Sequence, residues 1–408
     1  VLEAHLRCCD ARTVREHRGG GPVNDPDRDV VALLSRLVAV DSVNPGLVPG
    51  AAGEARIAQV VHDWARAEGL AAELVEHAPG RTSAVVRGGR PGPGGRRLLL
   101  CGHLDTVGPG GMTEPLTPRV QGDRLHGRGA YDMKAGLAAA LVACREAQRA
   151  GLPGEVVVAA VADEEDRSTG IQALDLRADA AIVTEPTEMA IGVAHKGFVW
   201  TEITVTGVAA HGSRPELGVD AIVRTGPVLV ALDRLGTAPA ARRHPLLGPA
   251  TVHASLITGG QEASTIPDRC VLTIEHRTLP GTTAADVEAS VADLLDRCRA
   301  ADPALVAEAR TLLHRPALET EPDAAVVHAL AGAHGEVRGT PAAVTGLSYW
   351  ADSAFLAARG IPTVLFGPGG QGAHADVEWV SLADTVDCVR VLVAAARRLF
   401  SPVPRPAT

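Results

Sequence analysis

The chain has 408 residues, a formal net charge of −9, and four Trp, two Tyr and four Phe as its only aromatic residues. That balance speaks against a nucleic-acid partner, which calls for a basic patch and stacking rings. No run approaches the roughly 18 apolar residues a membrane span requires. Seven scattered cysteines, an odd number, read as small core residues of a reducing, cytoplasmic setting, with the adjacent Cys8 and Cys9 incidental.

Residues 1–28 are polar, carry three consecutive glycines and lack an apolar signal core, so they are expected to be a disordered extension. From Asp29, Val30, Leu34, Leu37 and Val38 recur at helical spacing, and Ile57, Val60, Val61 and Trp64 do so again before Gly69. Short strands follow near 72–75 and 83–86. Four continuous apolar strands then each empty into acids or imidazoles. Residues 98–101 lead to His103 and Asp105, 156–161 to Asp163, Glu164 and Glu165, 180–183 to Glu185, and 362–366 through a Gly-rich loop to His374. Open α/β sheets bind ligands at the carboxyl ends of their strands, so four such endings predict one site. The spacing also predicts a helix from Asp132 to Arg149, which puts Asp132 at a helix N-terminus where a carboxylate is favoured.

Between 193 and 314 the pattern changes. Strands near 199–205, 250–257, 269–277 and 308–313 alternate with helices within 216–235, interrupted near Gly226-Pro227, and at 284–299. The order βαββαβ is the ferredoxin-like layout of an inserted domain. The first domain, 29–192, resumes at 315–408 with helices near 324–333, 353–359 and 383–399. The predicted fold class is therefore α/β, with a central mixed, mostly parallel sheet flanked by helices and a ferredoxin-like insertion.

His103 and Asp105, two apart on an extended chain, face the same way, so Asp105 is placed to hold the second ring nitrogen of a metal-bound His103. His103, Asp132, Glu165, Glu185 and His374 offer two imidazoles and three carboxylates. These suit zinc, with cobalt or manganese as substitutes, and are too many for one catalytic ion that keeps an open position. Two ions bridged by Asp132 and a hydroxide would be electrically neutral with this set. Neighbouring Glu164 and Glu165 diverge, so Glu165 can ligate while Glu164 serves as general base toward the metal-bound hydroxide, the equipment for amide hydrolysis. His211, in a Gly-containing loop after a strand, could donate to an oxyanion. Arg277 suits a substrate carboxylate or an internal ion pair. His126, His253, His276, His314, His328 and His334 have no motif around them and read as structural or solvated.

The motifs GHLDTVG at 102–108, GRGAYDMK at 127–134, DEE at 163–165, EPT at 185–187, HKG at 195–197, and GPG followed by AHADVEWV at 373–380 resemble the M20 family of dinuclear zinc amidohydrolases and peptidases. The resemblance implies one zinc on His103 and Glu185, another on Glu165 and His374, and Asp132 between them. It also implies that Glu164 carries the proton and that Asp105 backs His103. The insertion becomes a lid and dimerisation domain whose His211 reaches the partner's active site to hold the tetrahedral intermediate, with Arg277 near the substrate. Asp220 and Ser264 stand where many relatives carry Asn, Ala135 where Gly is common, and Thr184 where deacylases often have Gly. These departures bear on substrate identity. The expectation is a cytoplasmic, homodimeric hydrolase of N-acyl amino acids or related metabolites, the alternatives being an exopeptidase or a catalytically silent metal-binding homologue.

Overall fold

A computed structural model describes residues 25–90, 95–237 and 243–401. Strands β1 (Ala71–Ala78), β2 (Arg81–Gly89), β3 (Arg96–His103), β4 (Gly154–Val161), β5 (Ala180–Val183) and β6 (Ile191–His195) begin the main sheet. Four strands, β7 (Gly197–Thr206), β8 (Thr251–Gly259), β9 (Arg269–Thr278) and β10 (Val306–Arg315), build a second sheet. Strands β11 (Leu318–Glu319), β12 (Val344–Leu347) and β13 (Thr363–Leu365) then return to the first.

The main sheet runs β1-β2-β4-β3-β5-β13-β6-β11, with β12 beside β6. Its middle strands β4, β3, β5 and β13 are parallel. The sheet as a whole is evenly mixed rather than mostly parallel: β12–β6 adds a fourth parallel pairing against the four antiparallel ones, β1–β2, β2–β4, β13–β6 and β11–β6. The hairpin turn at Pro79-Gly80 forces β1 and β2 to be antiparallel, a relation that sequence periodicity does not carry. Every residue of β4 is buried, as is β3 from Leu98 onward, because helices cover both faces. Helices α1 (Pro26–Val38), α2 (Ala55–Ala67) and α3 (Ala135–Arg149) join α6 (Ala325–Arg338) and α7 (Leu382–Phe400) over the larger core, whereas α4 (Ala221–Thr237) and α5 (Ala284–Ala301) belong to the second sheet.

In α1 the Asp25 carboxylate accepts from the Asp27 N–H and Pro26 opens the first turn. Asp25 thus caps the helix and residues 26–28 are helical rather than part of an extension; the rest of that expectation, and Cys8 and Cys9, lie outside the described residues. The five cysteines among the described residues are buried and unpaired. Among the described residues no helix is long and apolar enough to cross a membrane.

The second sheet has the order β8-β9-β7-β10, antiparallel throughout. Counted along the insertion this is second-third-first-fourth, the ferredoxin-like arrangement, with α4 and α5 closing a core around Val199, Ile203, Leu272 and Leu294. Helix α4 runs through Pro227 without the expected break. Gly226 has no Cβ to meet the proline ring, and the one missing bond falls beside Val223, which is 69% exposed.

Candidate metal centre

Each strand end delivers one part of the centre. β3 ends at His103, whose side chain is 1% exposed. Its Nδ1 donates to the Asp105 carbonyl oxygen at 2.9 Å, which leaves Nε2 to face the centre. Asp105 thus meets His103 through its backbone rather than its carboxylate, which lies 3.8 Å from Nδ1 and is otherwise engaged. It accepts from Asn44 Nδ2 at 2.7 Å and from the backbone N–H groups of Glu164 and Glu165, both at 3.1 Å. The reason is local. The strand stops at His103, so the alternation that would put the two side chains on one face does not extend to Asp105.

Asp132 lies 3.1 Å from His103 Nε2 through Oδ1 and 3.3 Å from His374 Nε2 through Oδ2. His374 Nε2 is 3.1 Å from Glu165 Oε2, and His103 Nε2 is 3.9 Å from Glu185 Oε1. The five residues converge as two halves that share Asp132. Glu164 points to the other half from its neighbour, and one of its oxygens groups with His103 and Glu185 within 4.8 Å. The centre is closed behind His103 and open at His374, whose side chain is 55% exposed. Helix α3 begins only at Ala135, so Asp132 is not at its N-terminus; it has extended φ/ψ (−112°, 96°) in the turn before it.

That turn is held by Glu378, which the sequence reading passed over. Its Oε1 accepts from the Tyr131 and Asp132 N–H groups at 2.9 and 3.1 Å. Its Oε2 accepts from Gly129 N–H at 2.9 Å and from buried Arg128 at 2.8 Å. A second buried network lies under the acid loop. Arg81 pairs with Glu54 at 2.9 Å and with Asp163, and Asn44 Nδ2 also donates to Asp163 at 3.1 Å. Burial pushes the Glu54 carboxyl up to about 7. Both tyrosines of the chain stand beside the cluster, Tyr131 donating to Glu188 at 2.7 Å and Tyr349 to the Pro186 carbonyl at 2.6 Å; burial first, then nearby carboxylates, push both phenols up.

Charge crowding is the main electrostatic feature. Burial and neighbouring carboxylates raise Glu164, Glu165 and Glu185 above the carboxylate range. Burial opposes the charge of His103, yet Asp132, Glu185, Glu164 and Asp105 hold its pKa well above the usual imidazole value. His374 is pushed up to about 10 by its contacts with Asp132 and Glu165. Burial works against the Asp132 charge, but the two imidazoles hold its carboxyl below the usual range. Without cations, protons must balance this set of acids. His103 groups once with Asp132 and Glu165 and once with Glu164 and Glu185, and such sets of imidazole and carboxylate donors fit divalent metal ions.

Two expected residues are not brought to the cluster within this chain. His211 is exposed, with Nδ1 2.8 Å from Ser213 Oγ, on a short strand paired with Thr265–Ile266. Arg277 is engaged as an internal ion pair, 3.1 Å from Glu275, and donates to the Ser348 carbonyl at 2.9 Å. It thereby ties β9 to the segment before Tyr349.

The sequence profile of peptidase family M20/M25/M40 matches residues 99–398. The acetylornithine deacetylase of Myxococcus xanthus is 32% identical over 377 residues, covering 89% of this chain and 96% of its own. That of Proteus mirabilis is 30% identical over 370 residues, covering 86% and 92%. Among solved structures, aminopeptidase PepT from Bacillus cereus aligns with a TM-score of 0.74 at 22% identity, over 91% of this chain and 98% of that one. A dinuclear metal-binding peptidase of the M20 family from Bacillus subtilis aligns at 0.70 and 15% identity, over 92% and 98%. The structures speak for the fold; the profile runs through both sheets, and the relatives match nearly from end to end. The chain belongs to peptidase family M20/M25/M40.

Proposed function

We propose that this protein is an amidohydrolase of the deacylase type, releasing the free amine from an N-acyl amino acid or a related N-acylated metabolite. The observation that carries the reading is the Asp132 carboxylate set between two imidazoles, 3.1 Å from His103 and 3.3 Å from His374. His103 and Glu185 would hold one divalent ion and Glu165 and His374 the other, with Asp132 shared; zinc suits these donors, and cobalt or manganese could replace it. Bound there, the ions would polarise the acyl carbonyl and acidify a water. Glu164 takes the proton from that water and returns it to the leaving amine. Likeness to acetylornithine deacetylases along nearly the whole chain supports a deacylase over an exopeptidase.

The segment 193–314 acts in this reading as a lid through which two copies pair. Support comes from β8, an edge strand with Leu256 and Ile257 exposed. Pairing would let His211 serve the partner's centre as oxyanion donor, and Arg277 would meet a substrate carboxylate only by leaving Glu275. Buried, unpaired thiols suit a cytoplasmic setting. The test is amine release from N-acetyl, N-succinyl and N-aminoacyl amino acids, with zinc or cobalt added and a chelator control. Chelator-sensitive release from an acyl class is expected. Release confined to N-aminoacyl substrates would instead make the protein an exopeptidase, and two bound ions with no release would make it a silent homologue.

A further inference from the structure

The loop that carries Glu164 and Glu165 is held from two sides. On one side both of their N–H groups reach the Asp105 carboxylate. On the other, the Arg167 carbonyl oxygen accepts from an Arg315 terminal nitrogen at 2.7 Å and from Gln172 Nε2 at 2.9 Å. Arg315 is the last residue of β10, where the second sheet ends, and it is only 7% exposed. Its guanidinium lies 5.7 Å from the Trp350 ring centre and 5.4 Å from that of Phe355. Trp350 in turn meets Phe198 of β7 edge-on at 5.9 Å and donates from Nε1 to the Pro316 carbonyl at 2.9 Å. The carboxylates of Asp352, Glu164 and Asp166 attract the guanidinium, and Arg167 opposes it.

The scheme above gives Arg315 no task, yet a buried guanidinium is costly unless its partners are well placed. Adjacent acids need separate destinations, Glu165 toward His374 and Glu164 toward His103 and Glu185. Asp105 grips both amides alike, and Arg81 and Asn44 hold Asp163 just before them, so these contacts fix the loop on the side that leads into Glu164. The hold three residues beyond Glu164, on its far side, is where Arg315 helps set how the loop is turned. We propose that Arg315 is a positioning residue that ties the placement of the second sheet to that of Glu164, keeping this carboxylate on the His103–Glu185 side of the centre. The inference rests on Glu164 as the proton carrier of the deacylase reading.

The experiment compares metal-loaded wild type, Arg315→Met and Arg315→Lys by hydrogen exchange over residues 163–168, metal content, and kcat and KM on whichever N-acyl substrate the wild type cleaves. In Arg315→Met the Glu164 and Glu165 amides should exchange faster, metal content should hold, and kcat should fall about 10- to 100-fold with KM nearly constant, as expected when a reacting group is misplaced by about an ångström. Lys keeps the charge without the flat stack and should recover only part of the loss. Unchanged exchange, faster exchange with unchanged kcat, or full recovery in Lys would each overturn the proposal. If Arg315→Met does not fold, Trp350→Leu, which removes a ring beneath the guanidinium, takes its place under the same criteria. A wild type that cleaves no N-acyl substrate refutes the deacylase reading instead, and the exchange measurement still decides whether Arg315 holds the loop.

Discussion

Replacing Glu378 by Gln tests whether the Asp132 turn is held by charge. The carboxylate takes four donors, two on each oxygen, and three of them are backbone N–H groups of the turn itself. Burial pushes its carboxyl up, and the four donors oppose that shift. Gln keeps one acceptor oxygen and turns an NH2 toward two donors, so two charge-assisted bonds are lost. At about 1.5–3 kcal/mol each, the change costs roughly 3–6 kcal/mol. That is comparable with the ~5–15 kcal/mol net stability of a typical domain, so the turn should loosen locally before the molecule unfolds. Asp132 is the carboxylate common to both halves of the centre, and residues that orient a ligand typically contribute about 10- to 100-fold to metal affinity. Zinc affinity measured by competition with a chromophoric chelator should therefore fall by that factor in both halves, with far-ultraviolet circular dichroism unchanged. Wild-type affinity in Glu378→Gln would refute the reasoning, because the turn would then be held without the charge.

Glu164→Gln should keep its metal content and lose about 10²- to 10⁴-fold in kcat; an active variant removes Glu164 from proton transfer. Metal binding should release protons at pH 7, because His374, raised to about 10, is protonated below that pH and must be neutral to ligate. Apparent affinity should then rise with pH, and a calorimetric heat identical in two buffers of different ionisation enthalpy would contradict this. On the proposed pairing through β8, Leu256→Glu, at a residue 68% exposed on that edge strand, should leave metal content unchanged while keeping two copies apart and suppressing turnover, as read by light scattering and amine release. An active monomer would remove His211 from the partner's reaction.

His103, Glu165, Glu185 and His374 were legible because each comes at or after the end of a strand buried on both faces. Val156 to Val161 offers no polar side chain, so the acids after it stand out. Glu378 carries no such mark: it follows the exposed Val377, and its work is to accept N–H groups from a turn far earlier in the chain. Asp105 was placed correctly in space and given the wrong atom, since alternation lapses where β3 ends. The α3 pattern runs smoothly back into Asp132-Met133-Lys134, so apolar spacing could not show that the helix begins three residues later. The ion pair of Arg277 was one of its two readings, whereas its link to Ser348 and that of Arg315 to Arg167 were invisible because both join the second sheet to the first, a relation that no local pattern encodes.

Strand β13, made late in the chain, sits in the middle of the main sheet, between β5 and β6. The sheet therefore cannot close during synthesis until residue 365 has emerged, and His374 follows only after that. His103 and Glu185 leave the ribosome much earlier, at the ends of strands that can already pair. Maturation thus has a direction: His103 and Glu185 can come together on a growing chain, whereas Asp132, whose turn Glu378 holds, and His374 wait for the nearly completed polypeptide. A chain stopped before β13 would carry the acids of the centre without His374 to face them and without Glu378 to hold the Asp132 turn.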